Sequence, residues 1–355
     1  MRRPWLTPLV PLYAAGVALR DLRLRRGWEP VRIPWYPVIS VGNLSTGGTG
    51  KTPFTLALAH LLQAHGFHID VLSRGYGRTS RQPMRVDLHG SAKQFGDEPL
   101  LIARAGIPVF VAAKRYDAAV LAETDFIASG GELSSDHVPL AHLLDDGFQH
   151  RQLARDVDIL LLNREDWQDS LLPAGNLREP LRAAARAHVI AIPAEDSLLE
   201  ADLRAGGLTC PIWRIRRQMN VPPCNGPVAA FCGIARPGQF FAGLEAQGLQ
   251  LVLRRTFPDH HRYTATDLTH LANEARTARA TALITTEKDA VRIGTPSRSL
   301  PLDMQLHRAT LNVQFEDEAA VAEWLMRRLA DAQLARAHRR AMDTQPGRDT
   351  PRADR

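Results

Sequence analysis

A glycine-rich segment near the start of the chain, STGGTGKT at Ser45–Thr52, constrains the fold more than any other feature. It follows the apolar run VISV (38–41) and leads into TPFTLALAHLLQAHG, whose apolar residues recur at helical spacing. In such a strand, turn and helix, the backbone amides and the helix N-terminus point at a bound phosphate. The segment therefore predicts an α/β domain that binds a nucleoside triphosphate.

The loop departs from the usual pattern G-x-x-x-x-G-K-[ST] at its first position, where Ser45 replaces glycine. Its phosphate-binding half is intact, so we keep the prediction. Lys51 supplies a full positive charge and is also assigned a catalytic role, and Thr52 can place its hydroxyl on Mg²⁺. Nucleotide contacts are assigned to Ser45, Thr46, Gly47, Gly48, Thr49, Gly50, Lys51 and Thr52.

Two aspartates at the end of another apolar run provide the acidic element that such a loop needs. In LLDDG (143–147), Asp145 and Asp146 follow a predicted parallel strand, and ligands of open sheets bind at the carboxyl ends of the strands. Carboxylates at this position can hold Mg²⁺ directly or through water. A solvated turn that happens to contain two aspartates is the alternative interpretation.

Two further residues are candidates for taking a proton from the group that accepts the phosphate. These are Asp97 in GDEP and His260 in FPDHH. Each has a simpler interpretation, because Asp97 also fits the N-cap of a helix and His260 fits a surface histidine. The adjacent His261 leaves the choice of histidine open.

Basic residues near the predicted strand ends fit a substrate that is itself a phosphate. Arg74 and Arg78 flank a Gly-Tyr-Gly turn, and Arg178 lies in LREP. Any one of them alone would be more typical of a solvated surface charge. Because several lie close to where the phosphate loop must be, they are candidates for substrate contacts.

Strand-like apolar runs alternate with helical patterns along most of the chain, which is typical of an α/β fold with a mostly parallel sheet. We predict a three-layer α/β/α sandwich of the P-loop NTPase kind, followed by a turn-rich linker and a second, smaller α/β unit. The predicted divisions are an N-terminal amphipathic helix at 1–30, a P-loop domain at 31–205, a linker at 206–227, a C-terminal α/β domain at 228–335 and a basic, disordered tail at 336–355.

The N-terminal segment combines basic residues with the apolar run Leu9–Leu19. This run is too short to cross a bilayer, which takes about 20 residues, and no small-x-small cleavage site of a signal peptide follows it. An amphipathic helix lying in a membrane interface and an ordinary helix packed on the domain both remain possible. The apolar face would contain Leu12, Val17, Leu19, Leu22 and Leu24, and the basic residues are Arg20, Arg23, Arg25 and Arg26.

The overall charge narrows the class of partner. Lys and Arg outnumber Asp and Glu by 44 − 38 = +6, which suits a nucleotide, a nucleic acid or an anionic membrane. Aromatic and basic residues are not interleaved as nucleic-acid binding requires, so we expect no nucleic-acid partner. The three cysteines match no zinc pattern, and their odd number argues against a disulfide framework.

Several motifs occur together and in a fixed order along the chain. They are VGNLSTGGTGKTP, SRGYGR, GDEP, DDGFQH, LLPAGNLREP, FPDHHRY and TTEKDAV. As a set they resemble the tetraacyldisaccharide 4′-kinases of lipid A biosynthesis, from the N-terminal helix to about residue 330. The resemblance implies transfer of phosphate from ATP, with Mg²⁺, to the 4′-hydroxyl of a tetraacylated glucosamine disaccharide 1-phosphate, giving lipid IVA.

The resemblance also implies an architecture and a location. It implies two α/β/α units joined by a short β linker, with the nucleotide between them, in a peripheral protein on the cytoplasmic face of the inner membrane. The partners would be the lipid A disaccharide precursor and the anionic membrane surface, and we expect a monomer. The N-terminal helix would dock the protein on the bilayer.

Residue roles follow from the matching motifs. The resemblance implies that Lys51 and Thr52 bind phosphate and metal, and that Asp145 and Asp146 lie at the metal. Asp97 and His260 would activate the acceptor hydroxyl, with His261 less favoured. The residues assigned to the substrate are Asn43, Arg74, Arg78, Arg178 and Glu179.

Other classes of P-loop protein fit less well. Partitioning ATPases carry a lysine where this chain has Thr46. The GTPase motif [NT]-K-x-D is not matched at Thr286–Asp289, because the lysine stands one place late. A non-catalytic membrane-binding module would not require Asp97, His260 and the aspartate pair together.

Overall fold

A computed structural model describes residues 3–48, 50–131, 139–294 and 304–343. Within these residues, twelve strands form one sheet. The strands are β1 Val38–Asn43, β2 His68–Ser73, β3 Met84–Arg85, β4 Val109–Val111, β5 Leu140–Asp145, β6 Val157–Leu161, β7 Val189–Pro193, β8 Ile212–Asn220, β9 Val228–Cys232, β10 Leu251–Thr256, β11 Ala282–Thr286 and β12 Gln305–Phe315.

Helices connect most of the strands. The α-helices are α1 Val10–Arg25, α2 Lys51–Ala64, α3 Ala92–Phe95, α4 Asp97–Arg104, α5 Arg115–Ala128, α6 Arg164–Trp167, α7 Ser197–Ala205, α8 Pro237–Ala246, α9 Ala265–Thr277, α10 Glu287–Ile293 and α11 Glu318–Asp343. Two 3₁₀ helices span Pro4–Leu9 and Leu181–Arg186. None of the described helices has both the length and the hydropathy needed to cross a membrane.

The sheet is mostly parallel, as the alternation of strands and helices predicts. Its order is β10-β9-β11-β12-β8-β7-β6-β1-β5-β2-β4-β3. Among the described pairs, only β12 with β8 and β3 with β4 are antiparallel. Parallel strands covered on both faces are apolar throughout rather than alternating, which explains why runs such as VISV and HLLD stand out in the sequence. The predicted α/β fold class is therefore confirmed.

The predicted linker contains a strand that joins two halves of the sheet. Strand β8 pairs with the second half of β12, Thr310–Phe315, whereas the first half, Gln305–Ala309, pairs with β11. One long strand is thus shared by the unit that carries the phosphate loop and by the unit built from β9, β10 and β11. We call these the first unit and the second unit.

The helix that follows the second unit packs on the first unit. Leu325 and Leu329 of α11 lie in one apolar cluster with Phe54 of α2 and Ile39 of β1. Helices also cover the opposite face of the sheet, where Ala118 of α5 packs with Val38 and Leu144. This arrangement gives the three-layer sandwich expected for a P-loop protein.

Helix α11 continues beyond the predicted boundary of the C-terminal tail. It ends at Asp343 rather than near residue 335, and Arg336 forms an ion pair with Asp156 of the first unit. The prediction of disorder is therefore wrong for 336–343, because contact with the first unit stabilises a charged helical end that composition alone does not favour. Residues 344–355 of the predicted tail lie outside the described residues.

A buried histidine lies within the central strand β5, three residues before the carboxyl end of the strand. His142 of β5 is fully buried, with Nδ1 2.7 Å from Asp70 Oδ1 and Nε2 3.3 Å from Glu123 Oε1. Glu123 also accepts the backbone N–H groups of Trp35 and Tyr36. Burial lowers the pKa of His142, but Asp70 and Glu123 outweigh it and raise this pKa to about 9.

This histidine predicts a pH dependence of stability. Because its pKa is higher in the folded chain than in the unfolded chain, its contribution is complete below pH about 6.5. The contribution is lost as the pH rises through about 9. We expect the free energy of unfolding in urea to fall over this interval, and to fall less in His142→Gln. Equal pH slopes for the two proteins would show that His142 is not charged in the native state.

Candidate active site

The phosphate loop connects β1 to α2 at the carboxyl edge of the sheet. Gly47 and Gly50 have φ of 111° and 78°, a conformation that glycine adopts readily. Lys51 opens α2 and donates from Nζ to Asn43 Oδ1 at 3.0 Å, and the same nitrogen lies 3.5 Å from Asp146 Oδ1. The loop thus places the Lys51 ammonium beside the position that a bound phosphate would occupy. Thr49 is outside the described residues.

The serine that replaces the first glycine of the motif has a defined place. Ser45 is buried, and its Oγ accepts a hydrogen bond from Asn43 Nδ2 at 3.0 Å. Its backbone forms a bridge to Leu177, and Thr46 N donates to Asn176 O at 2.8 Å. The start of the turn is therefore docked on the segment that leads to LREP, where a serine hydroxyl has a partner.

The two aspartates after β5 have different surroundings. Asp146, at φ 50°, receives two hydrogen bonds from Arg178, at 2.8 and 3.0 Å. Burial opposes ionisation, but Lys51 and Arg178 hold the pKa of Asp146 well below its usual range. Asp145 accepts a hydrogen bond from Thr55 Oγ1 at 3.3 Å. The sequence alone assigned no role to Thr55.

Asp145 is buried among other negatively charged groups. Burial, together with the negative charges of Glu98 and Asp146, raises the pKa of Asp145 to about 7. Within the described ranges, no basic side chain forms an ion pair with Asp145; the nearby cations pair with Asp146 instead. The same residues contain no cluster of three His, Cys, Asp or Glu side chains that could hold a metal ion by themselves. Mg²⁺ in phosphoryl-transfer sites takes one or two carboxylates plus phosphate oxygens and water. The donor set of Thr52, Asp145 and Asp146 therefore fits Mg²⁺.

Asp97 lies at the first residue of α4, where the chain turns sharply at Gly96. The N-cap of this helix is Gly96, and the Asp97 side chain does not cap it, so the N-cap interpretation is wrong. Asp97 Oδ1 accepts the backbone N–H of Glu98 at 3.0 Å, and Oδ2 lies 3.0 Å from His260 Nδ1. One oxygen of this carboxylate therefore contacts its own helix, and the other contacts the second unit.

The structure separates the two adjacent histidines. His260, at φ 59°, is directed toward Asp97, and its ring lies 5.4 Å from that of Tyr76 in the loop after β2. His261 instead stacks on Phe257 at 4.8 Å, and its Nε2 lies 3.1 Å from Asp267 Oδ2. Only His260 is placed to act with Asp97.

Two basic residues of α10 join this site, and sequence reasoning assigned neither of them a role. Lys288 Nζ donates to Glu98 Oε1 at 2.5 Å, and Arg292 donates to Asp97 Oδ2 from Nε at 2.8 Å and from Nη2 at 2.5 Å. Lys288 belongs to the TTEKDAV motif and Arg292 follows it directly. The motif was therefore the sequence feature that could have indicated a role for these two residues. Both ion pairs connect the second unit to the first.

The residues assigned to the substrate fall into two groups. Arg74 and Arg78 lie on the loop after β2; Arg74 is exposed, and Arg78 donates to Gln82 O at 2.8 Å. Asn43 and Arg178 lie beside the phosphate loop and bond to each other at 2.6 Å.

Glu179 differs from both groups because it is fully buried. It forms ion pairs with Arg20 of α1 and with Arg186. Arg20 contacts Oε1 of Glu179 and Arg186 contacts Oε2, so the carboxylate links α1 to the LREP segment.

Comparison with known proteins identifies the family. A family model described as tetraacyldisaccharide-1-P 4′-kinase matches residues 2–330. The chain belongs to this family. The resemblance drawn from the motifs is therefore confirmed, including its extent along the chain.

Relatives and a solved structure agree with this membership. The chain is 45% identical over 301 residues to a tetraacyldisaccharide 4′-kinase of Koribacter versatilis, covering 81% of this chain and 88% of that protein. It is 35% identical over 353 residues to the protein of the same name from Afipia carboxidovorans, covering 95% and 100%. A crystal structure of LpxK from Aquifex aeolicus in complex with ATP matches with a TM-score of 0.69 and 29% identity, covering 91% of this chain and 98% of that chain.

Proposed function

We propose that this chain transfers the γ-phosphate of ATP to the 4′-hydroxyl of a tetraacylated glucosamine disaccharide 1-phosphate, giving lipid IVA in lipid A biosynthesis. The observation that carries the proposal is a composite site in a member of this kinase family. The Asp97–His260 pair joins the two units, and Glu98, next to Asp97, interacts electrostatically with Lys51 of the phosphate loop and with Asp145 of the aspartate pair. The ATP complex of the Aquifex aeolicus relative supports ATP as the donor.

Phosphoryl transfer depends on position and on neutralised charge more than on covalent chemistry. The loop amides and the Lys51 ammonium bind the phosphates that face the acceptor, with Lys51 already oriented by Asn43. Mg²⁺, held by Thr52, Asp145 and Asp146, would neutralise phosphate charge. Arg178 keeps Asp146 ionised and in place, so its role toward the substrate is indirect.

The Asp97–His260 pair is placed to accept the proton of the sugar hydroxyl. Burial raises the pKa of Asp97, but His260 and Arg292 outweigh it and hold this pKa far below its usual range, so the carboxyl is ionised. The hydrogen bond to Asp97 raises the pKa of His260 against the opposing effect of burial. An ionised carboxylate that orients an imidazole is a general-base arrangement. Arg74 and Arg78, on the neighbouring loop, would bind the 1-phosphate.

Helix α1 is proposed to hold the protein on the cytoplasmic face of the inner membrane. One side of the helix is tied to the site: Tyr13 Oη donates to Arg178 O at 3.0 Å, and Arg20 pairs with Glu179. The other side is apolar and exposed, with Leu12 at 74% and Leu19 at 50% of full exposure. An apolar face next to the LREP segment would let the acyl chains stay in the bilayer while the sugar reaches the site.

Substitution of the exposed leucines tests this membrane face. The double variant Leu12→Glu, Leu19→Glu should bind vesicles containing anionic lipid about tenfold more weakly or worse, since each buried leucine contributes about 1.5–3 kcal/mol. Vesicle co-sedimentation measures the effect, and deletion of residues 1–26 should act in the same direction. Leu198 and Leu334 are as exposed but lie elsewhere, so Leu198→Glu, Leu334→Glu is the matched control. Equal vesicle binding by both double variants would reject the docking role.

The acceptor position can be tested with a blocked substrate. The protein, ATP and Mg²⁺ are incubated in detergent with the tetraacylated disaccharide 1-phosphate, or with the same lipid methylated at the 4′-oxygen. We expect a bisphosphorylated product from the first lipid, with the new phosphate on the 4′-carbon by NMR, and no product from the second. Phosphorylation of the methylated lipid would place the reaction at a different hydroxyl.

A further inference from the structure

The side chain of Arg292 is held from three directions. It is 5% exposed, and its Nη1 donates to Gly233 O at 2.6 Å and to Asp289 Oδ1 at 2.9 Å. Asp289 is itself fixed, because its Oδ2 accepts Gly233 N at 3.0 Å and Thr286 Oγ1 at 2.7 Å. The remaining donors, Nε and Nη2, both reach Asp97 Oδ2 in the first unit. A planar guanidinium offers its donors in a rigid fork, so these contacts fix its orientation.

The same guanidinium is connected to the other member of the pair. The carbonyl of Gly233 that accepts from Arg292 also accepts the backbone N–H of His260 at 3.2 Å. A Cβ at position 233 would come within 2.9 Å of Pro258 O and 3.2 Å of His261 Cβ. Glycine is thus needed where the loop that carries His260 packs against β9. Arg292 therefore contacts Asp97 directly, and it contacts His260 both through one shared carbonyl and directly, with Nη2 3.3 Å from His260 Nδ1.

The carboxylate of Asp97 is crowded on one oxygen only. Its Oδ2 lies within hydrogen-bond distance of His260 Nδ1 and of two nitrogens of Arg292, whereas Oδ1 accepts the backbone N–H of Glu98. The charged and titratable groups that face the pair come from every element around it. They are Tyr76 on the loop after β2, Glu98 on α4, Asp259 on the loop after β10, and Lys288, Asp289 and Arg292 on α10.

From these contacts we propose that Arg292 is a positioning residue for phosphoryl transfer, which holds Asp97 and His260 in one fixed geometry across the two units. The inference rests on the proposed function. Arg292 does not reach the reacting atoms; it acts through its contacts with Asp97, with the His260 ring and with the Gly233 carbonyl. Two independent units must supply one catalytic pair, and a buried cation bonded to both halves fixes their distance. Misplacement of about 1 Å at such a pair can cost about 10²-fold in rate.

The positive charge of Arg292 also affects the pKa values of Asp97 and His260, which a purely structural contact would not do. A cation beside the pair disfavours proton uptake, and Arg292 acts to lower the pKa of both Asp97 and His260. Removing the cation should raise both pKa values. Whether Asp97 or His260 accepts the sugar proton, the acidic limb of the pH profile of kcat should move to higher pH.

The test compares Arg292→Gln and Arg292→Lys with the unsubstituted protein, measuring kcat and the KM for ATP from pH 5.5 to 9.5. We expect Arg292→Gln to lower kcat at neutral pH by about 10–100-fold, with the KM for ATP changed less than about threefold. Its acidic limb should move up by about one pH unit or more, as for loss of an adjacent positive charge. Arg292→Lys keeps the charge and should show a smaller shift.

Arg216→Gln is the matched control, since Arg216 also forms an ion pair with a carboxylate, that of Glu316, but is exposed on β8. An NMR titration of His260 needs no turnover, and its midpoint should rise in Arg292→Gln. An unmoved acidic limb with an unmoved His260 midpoint would overturn the proposal, even if kcat fell uniformly. If the unsubstituted protein transfers no phosphate, the proposed function fails, and the His260 titration still decides the contact. If Arg292→Gln does not fold, Arg292→Lys keeps the charge but loses the planar fork, so it should still lower kcat with little change in the KM for ATP, and an unchanged kcat would overturn the proposal.

Discussion

Replacing Asp97 by asparagine is expected to lower kcat by about 10²–10⁴, the usual contribution of a general base, while ATP still binds. The carboxylate receives His260 and Arg292 on one oxygen, and none of the hydrogen bonds described for it involves Lys51 or the aspartate pair. Asparagine keeps the shape but removes the charge that orients the histidine. Steady-state kinetics with the lipid acceptor, together with equilibrium ATP binding, measure the two effects separately.

The control for this variant is Asp125→Asn, because Asp125 also pairs with an arginine but lies on the far surface. It should leave both kcat and ATP affinity unchanged. If ATP binding disappeared together with turnover in Asp97→Asn, Asp97 would instead be a structural residue or a metal ligand. A thermal melt of each variant separates loss of fold from loss of chemistry.

Lys51→Ala should reduce kcat by about 10³-fold or more, which is the size of the effect when a cation that stabilises transferring phosphate is removed. The ammonium is oriented by Asn43 and lies close to Asp146, which is itself paired with Arg178. Alanine removes the charge and leaves the loop amides in place. ATP affinity should also fall, and isothermal titration with a non-hydrolysable ATP analogue measures that loss.

Lys51→Arg is the informative comparison, because it keeps the charge but replaces a compact ammonium by a larger planar group. We expect partial ATP binding and strongly reduced turnover. Full activity in Lys51→Ala would show that the glycine-rich loop is not the phosphate site. The assignment of nucleotide contacts to the residues of this loop would then be wrong.

The phosphate site was predictable from sequence because its parts are contiguous. The strand, the glycine turn and Lys51 follow one another, and the chemistry of such a loop is local. Asp145 and Asp146 were predictable for a related reason, since the carboxyl ends of parallel strands meet at one edge. β1 and β5 are indeed neighbours in the sheet.

The partners across the two units were not predictable from residue patterns. Arg292 and Asp97 are 195 residues apart, and nothing local in either segment indicates the other. The N-cap interpretation of Asp97 followed from a correct local preference, but the contact with the second unit directed the side chain elsewhere. The helical end of the tail was missed for the same reason, because Arg336 finds its partner in Asp156 of the first unit.

The most direct test of the account follows the γ-phosphate itself. A single turnover with γ-³²P-labelled ATP, Mg²⁺ and excess acceptor lipid is stopped at intervals, and the label is counted in lipid and in inorganic phosphate. We expect label to enter the lipid in step with ADP formation, and ADP to form much more slowly without lipid. Equal release of labelled inorganic phosphate with and without the lipid, and none in the lipid, would contradict it.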